Sequence, residues 1–202
     1  YDLVIIDEVQ KVPALLDEVH WCLENTKTRF ILCGSSARKM RRGAANLLGG
    51  RAWRFELFPL TTRELGEYKL DRILNHGLIP LHYSEEEPER SLRSYVLDYI
   101  EQEVHAEALT RNVPAFARFL EAVAATHGRL INYSNIARDC GVTSKTVREY
   151  YQILQDTLLG HTLEPWRKKK NRRLIETAKF YLFDVGVVRA LSGMHLIQEG
   201  TE

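Results

Sequence analysis

Two acidic residues, Asp7 and Glu8, directly follow an apolar run, and their types and position suit chemistry on a phosphate. The run, residues 3–6, is continuous and mostly β-branched, which predicts a strand covered on both faces, as in a parallel sheet. Carboxylates at the carboxyl end of such a strand stand at the edge where α/β sheets place their ligands. There Asp7 can hold a Mg²⁺-bound water, and Glu8 can orient or activate the attacking water. The alternative is an acidic pair that caps the next helix.

A second apolar run, residues 29–33, predicts a neighbouring strand, and Ser35 and Ser36 follow it after a glycine. Hydroxyl groups at that edge can contact a γ-phosphate or the attacking water. They also suit the N-cap of a helix predicted to follow, and the two roles are compatible. Between the strands, residues 15–23 have helical spacing, which predicts a helix with Leu16, Val19 and Leu23 available for one face.

Further along, Arg51 stands in a glycine-rich turn before a short apolar strand predicted at residues 52–57. Thr61 and Glu64 then have the spacing of a capping box at a helix start. After the acidic run at residues 85–89, apolar residues between 92 and 104 have helical spacing, which predicts an amphipathic helix.

The last third of the chain has the pattern of a helix-turn-helix. Residues 114–124 predict a helix that buries Phe116, Phe119, Leu120 and Val123. A short helix closed by a glycine turn (132–142) and a longer hydroxyl-capped helix (143–154) follow it. If this part binds DNA, the second of these two helices enters the major groove through its first residues: Ser144, Lys145, Thr146 and Arg148.

Two predicted strands, residues 158–163 and 180–184, enclose a basic loop and so predict a wing. In a DNA complex the loop would contact phosphates through Arg167, Lys168, Lys169, Lys170, Arg172 and Arg173. The alternative is a winged helix used for packing or for binding a protein, with a solvated basic loop. Asp184 is interpreted as the cap of a helix at 185–191 and not as a metal ligand.

Composition limits the partners and the compartment that can be expected for the protein. The 202 residues carry a net charge of +1, so a preference for a charged partner must come from local clusters. Three scattered cysteines indicate reduced thiols in a cytoplasmic protein, without a disulfide framework or zinc site. No apolar run reaches the roughly 20 residues of a membrane helix, so no membrane contact is expected.

The order of these motifs resembles the AAA+-type ATPases that carry a C-terminal DUF4143 domain. The matching stretches are VIIDEVQKVP, LCGSSARK, LLGGR and FPLTTREL, followed by GRLINYSNIARDCGVTSKTVREYYQILQDTLL, LEPW and KFYLFDVGVVRAL. The resemblance implies ATP and Mg²⁺ as cofactors, with Asp7 and Glu8 as Walker B and the metal held by Asp7 through water. It places Ser35 or Ser36 in the sensor 1 region. It makes Arg51 an arginine finger or sensor, against the alternative of a surface arginine.

A phosphate-binding loop needs Gly-Lys followed by Ser or Thr, and none of the 12 glycines is followed by lysine. Because the family places that loop upstream of Walker B, we expect a C-terminal fragment of an ATPase. We expect it to bind no ATP and Mg²⁺ by itself and to be inactive alone.

The resulting fold class is a partial α/β P-loop NTPase core (residues 1–67), a mainly helical connector (68–112) and a winged helix-turn-helix domain (113–202). The parent protein would use ATP hydrolysis to move the winged module, in an oligomer where Arg51 acts in trans. Two alternatives stay open: a DNA-binding regulator with the ATPase remnant as scaffold, and a protein-interaction module of a toxin- or defence-type system.

Overall fold

The computed structural model describes residues 1–34, 52–53, 55–96, 112–166 and 177–196. These residues fall into two compact units. The first comprises residues 1–57 with 156–158, and the second comprises residues 58–155 with 159–202.

The first unit contains a small parallel sheet. Strand β1 (Leu3–Ile6) leads into a 3-10 helix (Val9–Lys11), helix α1 (Leu15–Asn25) and strand β2 (Arg29–Leu32). The strands pair in parallel, from Leu3 opposite Arg29 to Ile6 opposite Leu32. Both predicted strands and the helix between them are therefore confirmed. Leu16 and Val19 are buried on α1 as expected, whereas Leu23 is only half-buried.

The prediction that β1 is covered on both faces is wrong for the described residues. Burial alternates along both strands, and the side chains of Leu3, Ile5 and Ile31 are 44%, 63% and 47% exposed. Val4 and Ile6 on the opposite face are half-buried. Successive strand residues point to opposite faces, so covering one face leaves every second apolar side chain in solvent.

The strand predicted at residues 52–57 is also not observed among the described residues of that stretch. Trp53, Phe55 and Leu57 are 88%, 85% and 100% exposed, and no strand pairing involves them. A strand needs a partner for its backbone groups, and an apolar alternating pattern does not supply one.

The second unit is mainly helical. Its described elements are α2 (Thr62–Leu65), α3 (Leu70–His76), α4 (Pro80–Ser84), α5 (Pro88–Ser94), α6 (Val113–Ala125), α7 (Tyr133–Cys140), α8 (Ser144–Asp156), β3 (Gly160–Leu163), β4 (Lys179–Leu182) and α9 (Val185–Ser192). The capping interaction predicted for α2 is present, since the Thr61 amide donates to Glu64 Oε2 at 2.8 Å. Helix α5 covers the start of the amphipathic helix predicted through residue 104, and residues 97–111 lie outside the described ranges.

The core of this unit forms around aromatic rings on α6 and α8. Phe119 is fully buried, with its ring centroid 5.6 Å from Phe116, 5.2 Å from Tyr150 and 5.0 Å from Tyr151. The face predicted for α6, with Phe116, Phe119, Leu120 and Val123, is buried. Helical spacing therefore predicted this part of the core correctly.

Helices α7 and α8 are joined by a tight turn. Asn132 caps α7 by accepting a hydrogen bond from the Asn135 amide at 3.0 Å, and Gly141 ends it in the left-handed conformation. Thr143 Oγ1 accepts from the Thr146 amide at 3.1 Å at the start of α8. The predicted order of helix, glycine turn and hydroxyl-capped helix is thus observed, while the assignment to the winged-helix class stays a prediction.

Strands β3 and β4 form an antiparallel pair, and Leu130 adds a single bridge to Lys179 on the other side of β4. Gly160 is required in β3 because a Cβ there would lie 2.5 Å from the ring of Phe180. Phe180 and Leu182 face inward and belong to the core.

The helical segment that precedes α6 packs against α9. Helix α3 contacts α9, and a Cβ on Gly186 would lie 2.6 Å from the Gly77 amide nitrogen, so the two backbones approach closely. Residues 58–96 thus share one compact unit with α6–α9, and the boundary at residue 113 stays a prediction. Among the described residues, no helix has both the length and the apolar character needed to cross a bilayer.

Candidate functional site

The parallel pairing of β1 and β2 places Asp7 and Glu8 beside the residues that follow β2. The Cys33 amide donates to the Ile6 carbonyl at 2.8 Å, and the Val9 amide donates to the Cys33 carbonyl at 3.1 Å. Residues 7 and 8 therefore lie at the same sheet edge as Cys33 and Gly34, which is the edge where α/β sheets bind ligands.

Glu8 adopts a left-handed backbone conformation (φ 52°, ψ 38°), which is uncommon for a residue with a side chain. It is held there from both sides, because its amide donates to Asp7 Oδ1 at 2.9 Å and its carbonyl accepts from the Lys11 amide at 2.9 Å. Such backbone strain is often kept at functional sites, where it fixes a side chain.

The two carboxylates differ in their surroundings. Asp7 is exposed, whereas Glu8 is half-buried and has the Lys11 ammonium 3.9 Å from its Oε2. An exposed carboxylate at a strand end fits the way Mg²⁺ is bound, through one or two carboxylates with waters and substrate phosphates. Within the described ranges no group of three or more His, Cys, Asp or Glu could hold a metal alone.

Ser35, Ser36 and Arg51 lie outside the described residues, so their predicted roles stay predictions. The same holds for the basic loop with Arg167, Lys168, Lys169, Lys170, Arg172 and Arg173.

The four predicted DNA-contacting residues on α8 are described. Lys145 and Arg148 are exposed, while Ser144 and Thr146 are half-buried. Thr146 Oγ1 lies 3.0 Å from Thr143 Oγ1, so this hydroxyl takes part in the helix cap. The Arg148 guanidinium lies 4.1 Å from the ring centroid of Tyr133 on α7, a cation–π contact that fixes its position on the surface.

Asp184 is confirmed as the cap of α9, where its Oδ1 accepts from the Val187 amide at 3.0 Å. Its Oδ2 also accepts from the Leu78 amide at 2.6 Å, which the sequence did not indicate. Burial raises the pKa of Asp184, and these hydrogen bonds oppose that rise. The carboxylate is occupied by backbone donors, which agrees with a structural role.

A cluster of rings on β3, β4 and the end of α6 was missed by sequence reasoning. His161 stacks on Tyr181 at 5.6 Å with 15° between the ring planes, and His127 meets the edge of Tyr181 at 5.4 Å. Burial, and then the charge of His161, lower the pKa of His127, whose Nδ1 accepts from the Leu182 amide at 3.2 Å. Alternation along the two strands was the available signal, because it places His161 and Tyr181 on one face once the register is known.

Comparison with known proteins finds a family match for each of two successive parts of the chain. Residues 1–66 match the family model of an AAA domain. Over 197 residues the chain is 27% identical to a protein of Mycobacterium tuberculosis and to one of Mycobacterium bovis, both called uncharacterized protein. The match covers 95% of this chain and 45% of each relative, so the chain spans about half the length of the curated relatives it matches. No solved structure matches.

The C-terminal part differs from the family expected for it. Where the DUF4143 domain was expected, residues 67–197 match the model of a different domain of unknown function, DUF8612. This match covers well over half of the chain, including α3–α9 and both strands of the second sheet. The chain therefore belongs to the DUF8612 family, and the residues that precede that region are similar to an AAA domain.

Proposed function

We propose that the protein to which these residues belong hydrolyses ATP with Mg²⁺ and that residues 1–66 form part of the hydrolytic site. The observation that carries the proposal is the position of Asp7 and Glu8 at the carboxyl end of β1, beside β2, within a region similar to an AAA domain. An ATPase of this type needs a metal-binding carboxylate and a group that activates water, and this edge supplies both.

In this proposal the two carboxylates have separate roles. Asp7, exposed at the strand end, would hold the Mg²⁺ ion through a bound water. Glu8 orients the attacking water and accepts its proton, and its fixed backbone conformation keeps the carboxylate in place. Ser35 or Ser36 contacts the γ-phosphate, and Arg51 from a neighbouring subunit stabilises the charge of the transition state.

The proposal requires phosphate-binding groups that these 202 residues do not contain as a Gly-Lys-Ser/Thr sequence. We therefore expect the 202-residue chain alone to bind ATP more weakly than the micromolar range, and the full-length protein to bind it tightly. Titration of labelled ATP and Mg²⁺ into both samples measures this. Micromolar binding by the chain alone contradicts the incomplete-site account, and lack of binding by the full-length protein contradicts the ATPase proposal.

A second candidate function is contact with double-stranded DNA through a winged helix. It is favoured by the exposed Lys145 and Arg148 on the first turns of α8, directly after the turn that follows α7. Each phosphate contact adds about −0.9 to the slope of log K against log salt.

Gel shifts with duplex DNA across a salt series test the second candidate. A variant with Lys168, Lys169 and Lys170 reversed to glutamate should lose affinity and salt dependence. Unchanged binding by this variant would show that the basic loop does not contact the DNA. Absence of any duplex binding at low salt would favour the alternative, in which the module binds a protein as in toxin- or defence-type systems.

A further inference from the structure

The turn that follows β1 is attached to the interior of the first unit through Val9, the residue after Glu8. The Val9 side chain is 2% exposed. Among the described side chains from Asp7 to Leu15, every other one is exposed apart from that of Glu8, which is half-buried. An apolar side chain removed from water in an otherwise exposed segment holds that segment at one point.

The backbone of Val9 is also held on both sides. Its amide donates to the Cys33 carbonyl at 3.1 Å, directly beyond the point where the Cys33 amide donates to the Ile6 carbonyl at 2.8 Å. Its carbonyl accepts from the Val12 amide at 3.2 Å, at the end of the 3-10 helix. Val9 is therefore fixed to the end of β2 and to the turn that leads into α1.

These contacts determine the conformation of Glu8. The peptide group between Glu8 and Val9 is planar, so the direction of the Val9 amide sets ψ of Glu8. Glu8 has φ 52° and ψ 38°, and a residue with a side chain keeps such a conformation only where its surroundings impose it. If Val9 were loosened, Glu8 could return to the more common negative φ, and its carboxylate would move from its present place at the sheet edge.

We propose that Val9 is a positioning residue for ATP hydrolysis, which holds the Glu8 carboxylate where it can orient the attacking water. The inference rests on the proposed function and adds the residue that sets the geometry of its proton acceptor. Val9 is apolar and contributes no group to the reaction, so its whole effect passes through Glu8. A displacement of about 1 Å in a reacting group can lower a rate about 100-fold, which makes such a role measurable.

The steady-state kcat and the Kd for ATP of the full-length protein test the proposal. Val9→Ala leaves space beneath the turn and should lower kcat at least about tenfold. The Kd for ATP should stay within about threefold, because an interaction needed only for the chemical step changes kcat and not binding. If Val9→Ala does not fold, Val9→Ile shifts the same turn by one added methylene and should lower kcat in the same selective way.

Two matched variants separate positioning from stability. Val9→Thr keeps the branched shape but buries a hydroxyl, so it should lower the melting temperature and yet keep kcat within about threefold. Val19→Ala makes the same substitution at a 3% exposed position on α1 of the same unit, and should lower the melting temperature without changing kcat. Equal losses of kcat in Val9→Ala and Val19→Ala, or in Val9→Ala and Val9→Thr, would overturn the proposal and leave Val9 a packing residue.

A double variant tests whether the effect passes through Glu8. In a Glu8→Gln background, Val9→Ala should cause no further loss of kcat, because the group that Val9 positions is already gone. A loss as large as in the unsubstituted background would overturn the role of Val9. The failure of the proposed function looks different: Glu8→Gln alone would then keep full activity, whereas full activity in Val9→Ala alone contradicts only the inference about Val9.

Discussion

Replacing Asp184 with alanine tests the junction between α9 and the segment before α6. The carboxylate is 2% exposed and accepts from the Val187 amide at 3.0 Å and from the Leu78 amide at 2.6 Å. Loss of an N-cap costs about 0.5–2 kcal/mol. A buried amide left without an acceptor costs about 1–3 kcal/mol, and the Leu78 amide is partly buried, which places its cost toward the low end of that range.

Together these terms predict a loss of about 1.5–5 kcal/mol in the free energy of unfolding. The lower end is favoured because burial raises the pKa of Asp184, which means that the ionised carboxylate is itself poorly solvated. Since small domains are stable by only about 5–15 kcal/mol, the change is easily measured.

Urea unfolding followed by circular dichroism gives the value, with Asp184→Ser as the matched variant. A serine can still cap α9 but does not reach Leu78, so it should recover about 1 kcal/mol of the loss. A loss below about 0.5 kcal/mol in Asp184→Ala, within the usual range of surface substitutions, would refute the reasoning. Equal losses in the two variants would show that the cap contributes nothing.

Three further predictions concern the second unit. Gly77→Ala should destabilise the protein by at least about 2 kcal/mol more than Gly66→Ala. Both glycines have positive φ, but only at Gly77 would the new Cβ overlap the Asp184 carboxylate. Equal shifts in melting temperature would contradict this. The pKa of His127 is lowered in the folded state, so on acidification the unfolded state takes up the proton at a higher pH than the folded state does. The stability that depends on a neutral His127 is therefore complete above about pH 6.5 and is lost as the pH falls below that value. Urea midpoints at pH 7.5 and 5.5 should therefore differ less in His127→Gln than in the unsubstituted chain, and an unchanged difference would argue against the effect. Phe119→Ala should cost about 3–5 kcal/mol in urea unfolding because the ring is fully buried, and a cost below about 1 kcal/mol would mean that the core is loosely packed.

Local pattern predicted the elements of the second unit better than their assembly. Helical spacing identified the buried face of α6. The position of Asp184, directly before a predicted helix, identified this residue as the cap of α9. The bond from Asp184 to Leu78 spans 106 residues, and no local pattern specifies it. The close approach of Gly77 and Gly186 is likewise not specified by local pattern, since it depends on where two distant segments meet.

In the first unit, the sequence predicted where the strands lie and which acidic residues follow β1. It did not predict that Ile5 would be exposed, because burial of a strand face depends on elements that are not adjacent in the chain. The left-handed conformation of Glu8 was also missed, since nothing in the residue type favours positive φ.

The central claim, that Glu8 serves ATP hydrolysis, is tested most directly by the steady-state ATPase rate of the full-length protein with Glu8→Gln. Removing a group that activates water should lower kcat at least about 100-fold, while the amide still fits the site and ATP binding stays within a few-fold. Lys11→Gln, which removes only the exposed ammonium 3.9 Å from Glu8, should keep nearly full activity. A Glu8→Gln protein that hydrolyses ATP at the unsubstituted rate would contradict the account.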